Sequence, residues 1–197
     1  MAETTRDRIL DAALRAYGTE GFAVTSLDAL ADQLGIRKQT ILYYFPSKQA
    51  VFEAVIDAAA VDLVKAFDEE ASRGLVGLDQ VEAIVRRVFR LAVAQPELLG
   101  LIREVTRPGS LSADRLATQI APVLDRAREF LQREMDAGHL RRSDPEMLLL
   151  SLYSTVVGVA TELEVQRAMG LPPTLRGTVA RRQELTRFLR AALEPAD

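Results

Sequence analysis

Apolar residues in this 197-residue chain return every three or four positions almost throughout, the spacing of one face of a helix. The alternation of Val, Ile, Thr and aromatic residues that marks strands is missing almost everywhere. An all-α fold is therefore expected. Thr4 and Asp7 make a capping box for a first helix over about Thr4–Thr19, striped by Ile9, Leu10, Ala13, Leu14 and Tyr17 and ended by Gly18 and Gly21. Thr25 or Ser26 caps a short helix over about Leu27–Leu34, with Asp28 near the positive end of its dipole and Gly35 placed to stop it. Another short helix spans about Arg37–Phe45 and stops at Pro46, because the residue before a proline is pushed out of helical geometry. Ser47 then caps a long helix reaching about Arg73.

Beyond Gly74 and Gly77 the helices lengthen. One is striped by Val81, Ile84, Val85, Val88, Phe89 and Ala92 and ends before Pro96, which suits the first turn of the next, up to about Thr106. Pro108, Gly109 and Ser110 read as a loop. A further helix from about Leu116 to Gly138 has Pro122 inside it as a candidate kink, and Asp144 and Pro145 open an apolar helix to about Met169. After a turn at Gly170–Pro173, the last helix carries Val179, Leu185, Phe188, Leu189, Ala192 and Leu193.

Composition mainly excludes. With 48% hydrophobic and 27% charged residues the chain can bury a core, and disorder is set aside. Zero cysteines rule out disulfides, zinc-thiolate sites and thiol nucleophiles, and His139, the lone histidine, suits a helix end or the surface better than catalysis or metal binding. No Gly-x-Ser-x-Gly elbow, phosphate-binding glycine loop or paired Glu-x-x-His is present, so no enzyme and no cofactor or metal is expected. Charged residues within Met1–Leu10 argue against a secretory signal, and the uncharged run Met147–Thr161 falls short of the roughly 20 residues of a membrane span; a cytoplasmic protein is expected. The net charge of −3, taken whole, argues against a surface built for nucleic acid.

The segment Thr25–Phe45 points the other way: a helix, a tight glycine turn, then a short helix that is polar and basic at its start, which is the layout of a helix-turn-helix. In such modules the start of the second helix enters the major groove. Here those residues are Arg37, Lys38, Gln39 and Thr40; Arg or Lys suits guanine, Gln suits adenine, and Thr suits a phosphate or a thymine methyl. From Gln33 to Lys48 there are three basic residues and no acid, although Met1–Lys48 as a whole nets zero.

Gly18–Phe22, Thr25–Gly35 and Gly35–Lys48, ending in Thr40-Ile41-Leu42-Tyr43-Tyr44-Phe45-Pro46-Ser47-Lys48, resemble the DNA-binding domain of the TetR family of transcriptional regulators. The resemblance implies a three-helix DNA-binding domain over residues 1–48 and a helical effector-binding and dimerisation domain over residues 49–197. It implies base contacts from Lys38, Gln39 and Tyr43 and phosphate contacts from Thr25, Thr40, Tyr44 and Lys48, with Arg37, grouped with the base contacts, able to do either. Leu42 departs from the family, which often has tyrosine there. Ile41 and Phe45, with Leu27, Leu30 and Leu34, are assigned to the small core that fixes the two helices.

The remainder is less legible. Polar residues within apolar helices, Arg103, Glu104, Gln119, Tyr153, Thr155 and Glu162, are candidates for an effector pocket of mostly apolar character. Met147–Thr161 is apolar on nearly every face and needs cover; its small residues Ser151, Ser154 and Gly158, with Leu185, Phe188 and Leu189 of the last helix, suit a four-helix interface with a second copy. The expected protein is a homodimeric repressor, released by a small effector from a pseudo-palindromic duplex operator. A helical scaffold for protein partners is the alternative, and it leaves the basic segment behind Gly35 without a purpose.

Overall fold

A computed structural model describes residues 4–107, 112–172 and 174–195, the side chains of residues 163 and 164 apart. The described residues form ten helices and no strand: α1 (Thr5–Thr19), α2 (Leu27–Leu34), α3 (Lys38–Tyr44), α4 (Lys48–Ala71), α5 (Gly77–Ala94), α6 (Pro96–Thr106), α7 (Ala113–Asp136), α8 (Pro145–Thr161), α9 (Leu163–Ala168) and α10 (Leu175–Leu193). The expected stop signals act as read. Thr4 and Asp7 form the reciprocal capping box of α1, Ser26 rather than Thr25 caps α2, and Asp144 accepts from Glu146 and Met147 at the start of α8. The loop expected at Pro108–Ser110, and Pro173 of the turn before α10, lie outside the described residues.

One expected helix is two. Instead of continuing to Met169, α8 ends at Thr161, where Glu162 leaves helical geometry (φ −78°, ψ 68°). The buried Gln166 side chain donates to the Val159 carbonyl at 3.0 Å, taking the acceptor that a continuing helix would give to the amide four residues on. At Pro122, in contrast, α7 continues from Ala113 to Asp136 without the one amide bond that a proline cannot donate.

By packing, the chain divides into Met1–Leu63 with Gln95–Ile120, and Val64–Ala94 with Ala121–Asp197. In the first unit α6 packs on α1. Two glycines permit the approach: a Cβ on Gly100 would stand 1.9 Å from the Gly18 carbonyl oxygen, and one on Gly18 would stand 2.1 Å from that of Glu97. Ile9, Tyr17, Leu30, Ile41, Val51 and Ile56 are among its fully buried side chains. Tyr17 and Phe52 meet edge to face at 5.2 Å, and Phe22 lies 4.5 Å from Phe52.

The second unit is built on the stripes of α5, α7, α8 and α10, with Val85, Leu131, Met135, Val156, Leu185 and Leu189 in one core. The buried Glu134 carboxylate ties its loops, accepting from the Gly77 amide and bonding His139 Nδ1, each at 2.9 Å. Burial pushes this carboxyl up, but the bonds from His139 and Gly77 and the nearby charges outweigh it, and the net shift is downward. His139 thus serves a helix end.

Candidate nucleic-acid interface

The turn between α2 and α3 rests on Gly35, which adopts left-handed geometry (φ 65°, ψ 32°) that a side chain would strain. Its amide donates back to the Ala31 and Asp32 carbonyls, and the Ile36 amide returns to Ala31 at 3.0 Å. Arg37, extended at φ −82° and ψ 146°, then starts α3 with no side-chain cap. Ile41 and Phe45, exposed by 0% and 5%, hold the helix to the unit, and Phe45 ends it in an extended conformation before Pro46. Arg6 lies over the Phe45 ring at 5.4 Å, and Arg8 donates to the Leu34 carbonyl at the end of α2.

This anchoring turns the polar residues outward. Arg37 and Gln39 are exposed, Lys38 and Thr40 half-buried, and Tyr43 and Tyr44 are exposed with their rings edge to face at 5.2 Å. Leu42 is also exposed, so its departure from tyrosine leaves an apolar surface position. Lys48, on the first turn of α4, donates to the Ala23 carbonyl at 3.3 Å and sits 4.3 Å above the Phe22 ring.

Two details depart from the expectations of the sequence. Thr25 is 3% exposed and its hydroxyl proton goes to the Gly21 carbonyl at 3.0 Å, so it has none to give a phosphate in this state. It braces the turn before α2. The basic segment also has an acid beside it in space: Asp28 of α2 pairs with Lys38 at 2.8 Å. Counting from Gln33 to Lys48 could not show a partner ten residues upstream of Lys38. Both groups are solvated, and an exposed pair of this kind contributes about 0–1 kcal/mol, so a phosphate can compete for Lys38.

The six polar candidates for an effector site divide between the units, Arg103, Glu104 and Gln119 in the first and Tyr153, Thr155 and Glu162 in the second. Arg103 is exposed, Gln119 donates to Asp57 at 3.3 Å, Tyr153 and Glu162 are exposed, and Thr155 is half-buried. Asp57 also holds Arg115 through two bonds of 2.7 and 2.6 Å, which keep its carboxyl below the usual range. Glu104 is mostly buried and accepts from the Phe22 amide at 3.2 Å. None of the six lines the apolar cavity of the first unit, which is walled by Ile56, Ala60 and Leu63 of α4, Leu101 and Val105 of α6 and Leu116 of α7. That cavity is about 10 Å3, room for roughly one water. Its apolar walls were legible only as helix stripes, because periodicity shows which residues share a face and not where two faces leave a gap.

On α8, Ser151 and Ser154 are exposed beside Met147, Leu150 and Tyr153, exposed by 60%, 55% and 47%. Among the described residues, no heavy atom beyond the glycine, its chain neighbours and its own helix backbone lies within 4 Å of the place a Gly158 Cβ would take. Phe188 of α10 is 61% exposed, but Leu185 and Leu189, grouped with it by the sequence pattern, are 5% and 6% exposed inside their own core. Phe188 lies about 100° around the helix from Leu189, which is why one apolar run serves two faces.

Among the described residues no helix is long and apolar enough to cross a membrane, and no three Asp, Glu or His side chains are grouped to hold a metal.

The model for bacterial regulatory proteins of the tetR family matches residues 9–55, from α1 into α4. The chain is 27% identical over 152 residues to the HTH-type transcriptional regulator RutR of Escherichia coli, spanning 75% of this chain and 69% of that protein. It is 29% identical over 100 residues to the HTH-type transcriptional repressor SCO4008 of Streptomyces coelicolor, spanning 51% and 48%. Its fold is similar to that of the transcriptional regulator FadR of Bacillus subtilis, solved in complex with stearoyl-CoA, with a TM-score of 0.77, 15% identity and coverage of 92% and 96%. With the helix-turn-helix geometry above, residues 9–55 match the tetR family of bacterial regulatory proteins, and most of the chain is similar to HTH-type transcriptional regulators.

Proposed function

We propose that the protein is a homodimeric, non-enzymatic repressor of the cytoplasm that leaves a pseudo-palindromic operator when a small, largely apolar effector binds. The observation that carries the DNA-reading part is the outward presentation of Arg37, Lys38, Gln39 and Tyr43 on a helix fixed by Ile41 and Phe45. These four read base edges; Thr40, Tyr44 and Lys48 hold phosphates. The exposed apolar face of α8, with Phe188 of α10, supports pairing with a second copy. A two-fold dimer sets two recognition helices about 34–36 Å apart, one helical turn of the duplex.

The cavity between α4, α6 and α7 supports the response to an effector. It is lined without polar side chains, and at about 10 Å3 it has no room for an organic molecule in this state. A ligand entering there has to part the helices, so it binds one conformation far better than the other, which is the condition for shifting an equilibrium. The long α4, which begins beside the recognition helix, carries the displacement. Couplings of about 1–3 kcal/mol are typical of such devices. FadR, the similar fold solved with stearoyl-CoA, supports ligand control.

Gel-shift titration with a duplex selected from a random pool, repeated across salt concentrations and with a panel of apolar small molecules, tests this reading. Binding that weakens steeply with salt and is released by a subset of the panel is expected. Salt-insensitive binding, or no release by any apolar compound while a strongly polar one acts, contradicts it.

A further inference from the structure

Glu104 is one of the six polar candidates that the effector reading leaves over. It lies on α6, whose residues Leu101 and Val105 wall the cavity, yet its own carboxylate is spent elsewhere in the same unit. Oε1 accepts from the Phe22 backbone amide at 3.2 Å, and Oε2 pairs with Arg107 at 3.1 Å. The Phe22 amide lies in the connection between α1 and α2, where no helix supplies it with a carbonyl, so the carboxylate is its acceptor. The Phe22 ring is itself confined, 4.5 Å from Phe52 and 5.7 Å from Tyr17. Above that ring stands the Lys48 ammonium, 4.3 Å from its centroid and within 3.3 Å of the Ala23 carbonyl. The side chain of Lys48 is therefore aimed by Phe22 and the residue after it, and both are held at the height that Glu104 fixes. The Gly18 and Gly100 contact, too close for any side chain, fixes α6 against the last turn of α1 that leads into this connection.

We propose that Glu104 is a positioning residue for DNA binding: through the Phe22 amide and ring it sets the place of the Lys48 ammonium, and so passes the position of α6 to a phosphate contact. The inference rests on the reading of Lys48 as a phosphate contact. Of the three ammonium hydrogens of Lys48, one goes to the Ala23 carbonyl and one can face the Phe22 ring, which leaves one to donate to a phosphate. An effector that moves α6 while parting the cavity then releases the lysine's support without touching α3. This is a second route, beside α4, from the cavity to the interface.

A double-mutant cycle on operator affinity tests the relay, with the salt slope as a second readout. Lys48→Ala should weaken binding about tenfold and lower the slope by about one counterion. Glu104→Ala should weaken it roughly threefold to fivefold in the parent and lower the slope in the same direction, but should have almost no further effect in the Lys48→Ala background. Glu104→Gln, which keeps a carbonyl oxygen for the Phe22 amide, should restore most of the loss. Phe22→Leu, which keeps the packing but removes the ring face, should lower the slope as Glu104→Ala does and serves if that variant folds poorly by circular dichroism. If Lys48→Ala binds like the parent, the phosphate reading fails and the relay with it. If Lys48→Ala weakens binding but the effect of Glu104→Ala is absent, or is equal in both backgrounds with an unchanged salt slope, the relay alone is overturned.

Discussion

α3 and α8 both present surfaces that a lone globule has little reason to display, but of opposite chemistry. α3 is seven residues long, buries Ile41 alone within its span and turns out Arg37 at its cap, then Gln39 and Tyr43. α8 is seventeen residues long and turns out Met147, Leu150 and Tyr153 beside Ser151 and Ser154. A polar, cationic surface stays hydrated until a polyanion replaces the water; an apolar one with small residues gains by excluding water against a matching face. Under the proposed function the two surfaces bind by different terms. Contacts from α3 should be sensitive to salt and to base identity, and contacts from α8 to buried apolar area.

The comparison breaks most readily at the anchor of α3. Ile41→Ala removes its one fully buried side chain and should destabilise the first unit by about 2–5 kcal/mol, read by thermal or urea unfolding. If stability is nearly unchanged, α3 is held by something other than that packing. Next in size, the paired substitution Leu150→Glu and Phe188→Glu should yield monomers in analytical ultracentrifugation, a loss of at least about 2 kcal/mol of association, with helicity kept. A dimer that persists would take α8 out of the interface. Gln39→Ala should relax preference at one base pair by about 1–3 kcal/mol in competition binding, with the salt slope unchanged. The smallest effects compare two carboxylates. Glu134 titrates below its usual range, so its stabilisation is present above the ordinary carboxylate pKa and is lost as pH falls through the lower folded-state value. Melting from neutral to acid pH should show this limb flattened in Glu134→Gln by about 1 kcal/mol, whereas Asp28→Asn, which frees the half-buried Lys38 from a solvated pair, should change stability by a few tenths at most.

Much of the fold is legible in the chain alone. Local rules placed the caps at Thr4 and Asp144 and the stops at Gly35 and Pro46, because each depends only on neighbours within a turn. The break at Glu162 was not legible, since it depends on Gln166 folding back onto the Val159 carbonyl. The helix-turn-helix is legible from the glycine turn and the basic start of its second helix, while the pairing of Lys38 with Asp28 joins two helices and has no periodic signature. Leu185, Phe188 and Leu189 show the same limit: one apolar run feeds an internal core and an external face, and only the packing of α10 divides it. Glu104 stands out in the sequence as a polar residue in an apolar helix, yet its partner lies 82 residues away in the chain.

The central claim is that two copies of α3, related by two-fold symmetry, read successive major grooves. Selection of bound duplexes from a random pool, run with the parent chain and with Gln39→Ala, tests it most directly. The account predicts a pseudo-palindrome with half-sites about one helical turn apart, and a variant whose winners lose preference at the same position in each half-site. A single asymmetric site, or identical winners for both chains, would contradict it.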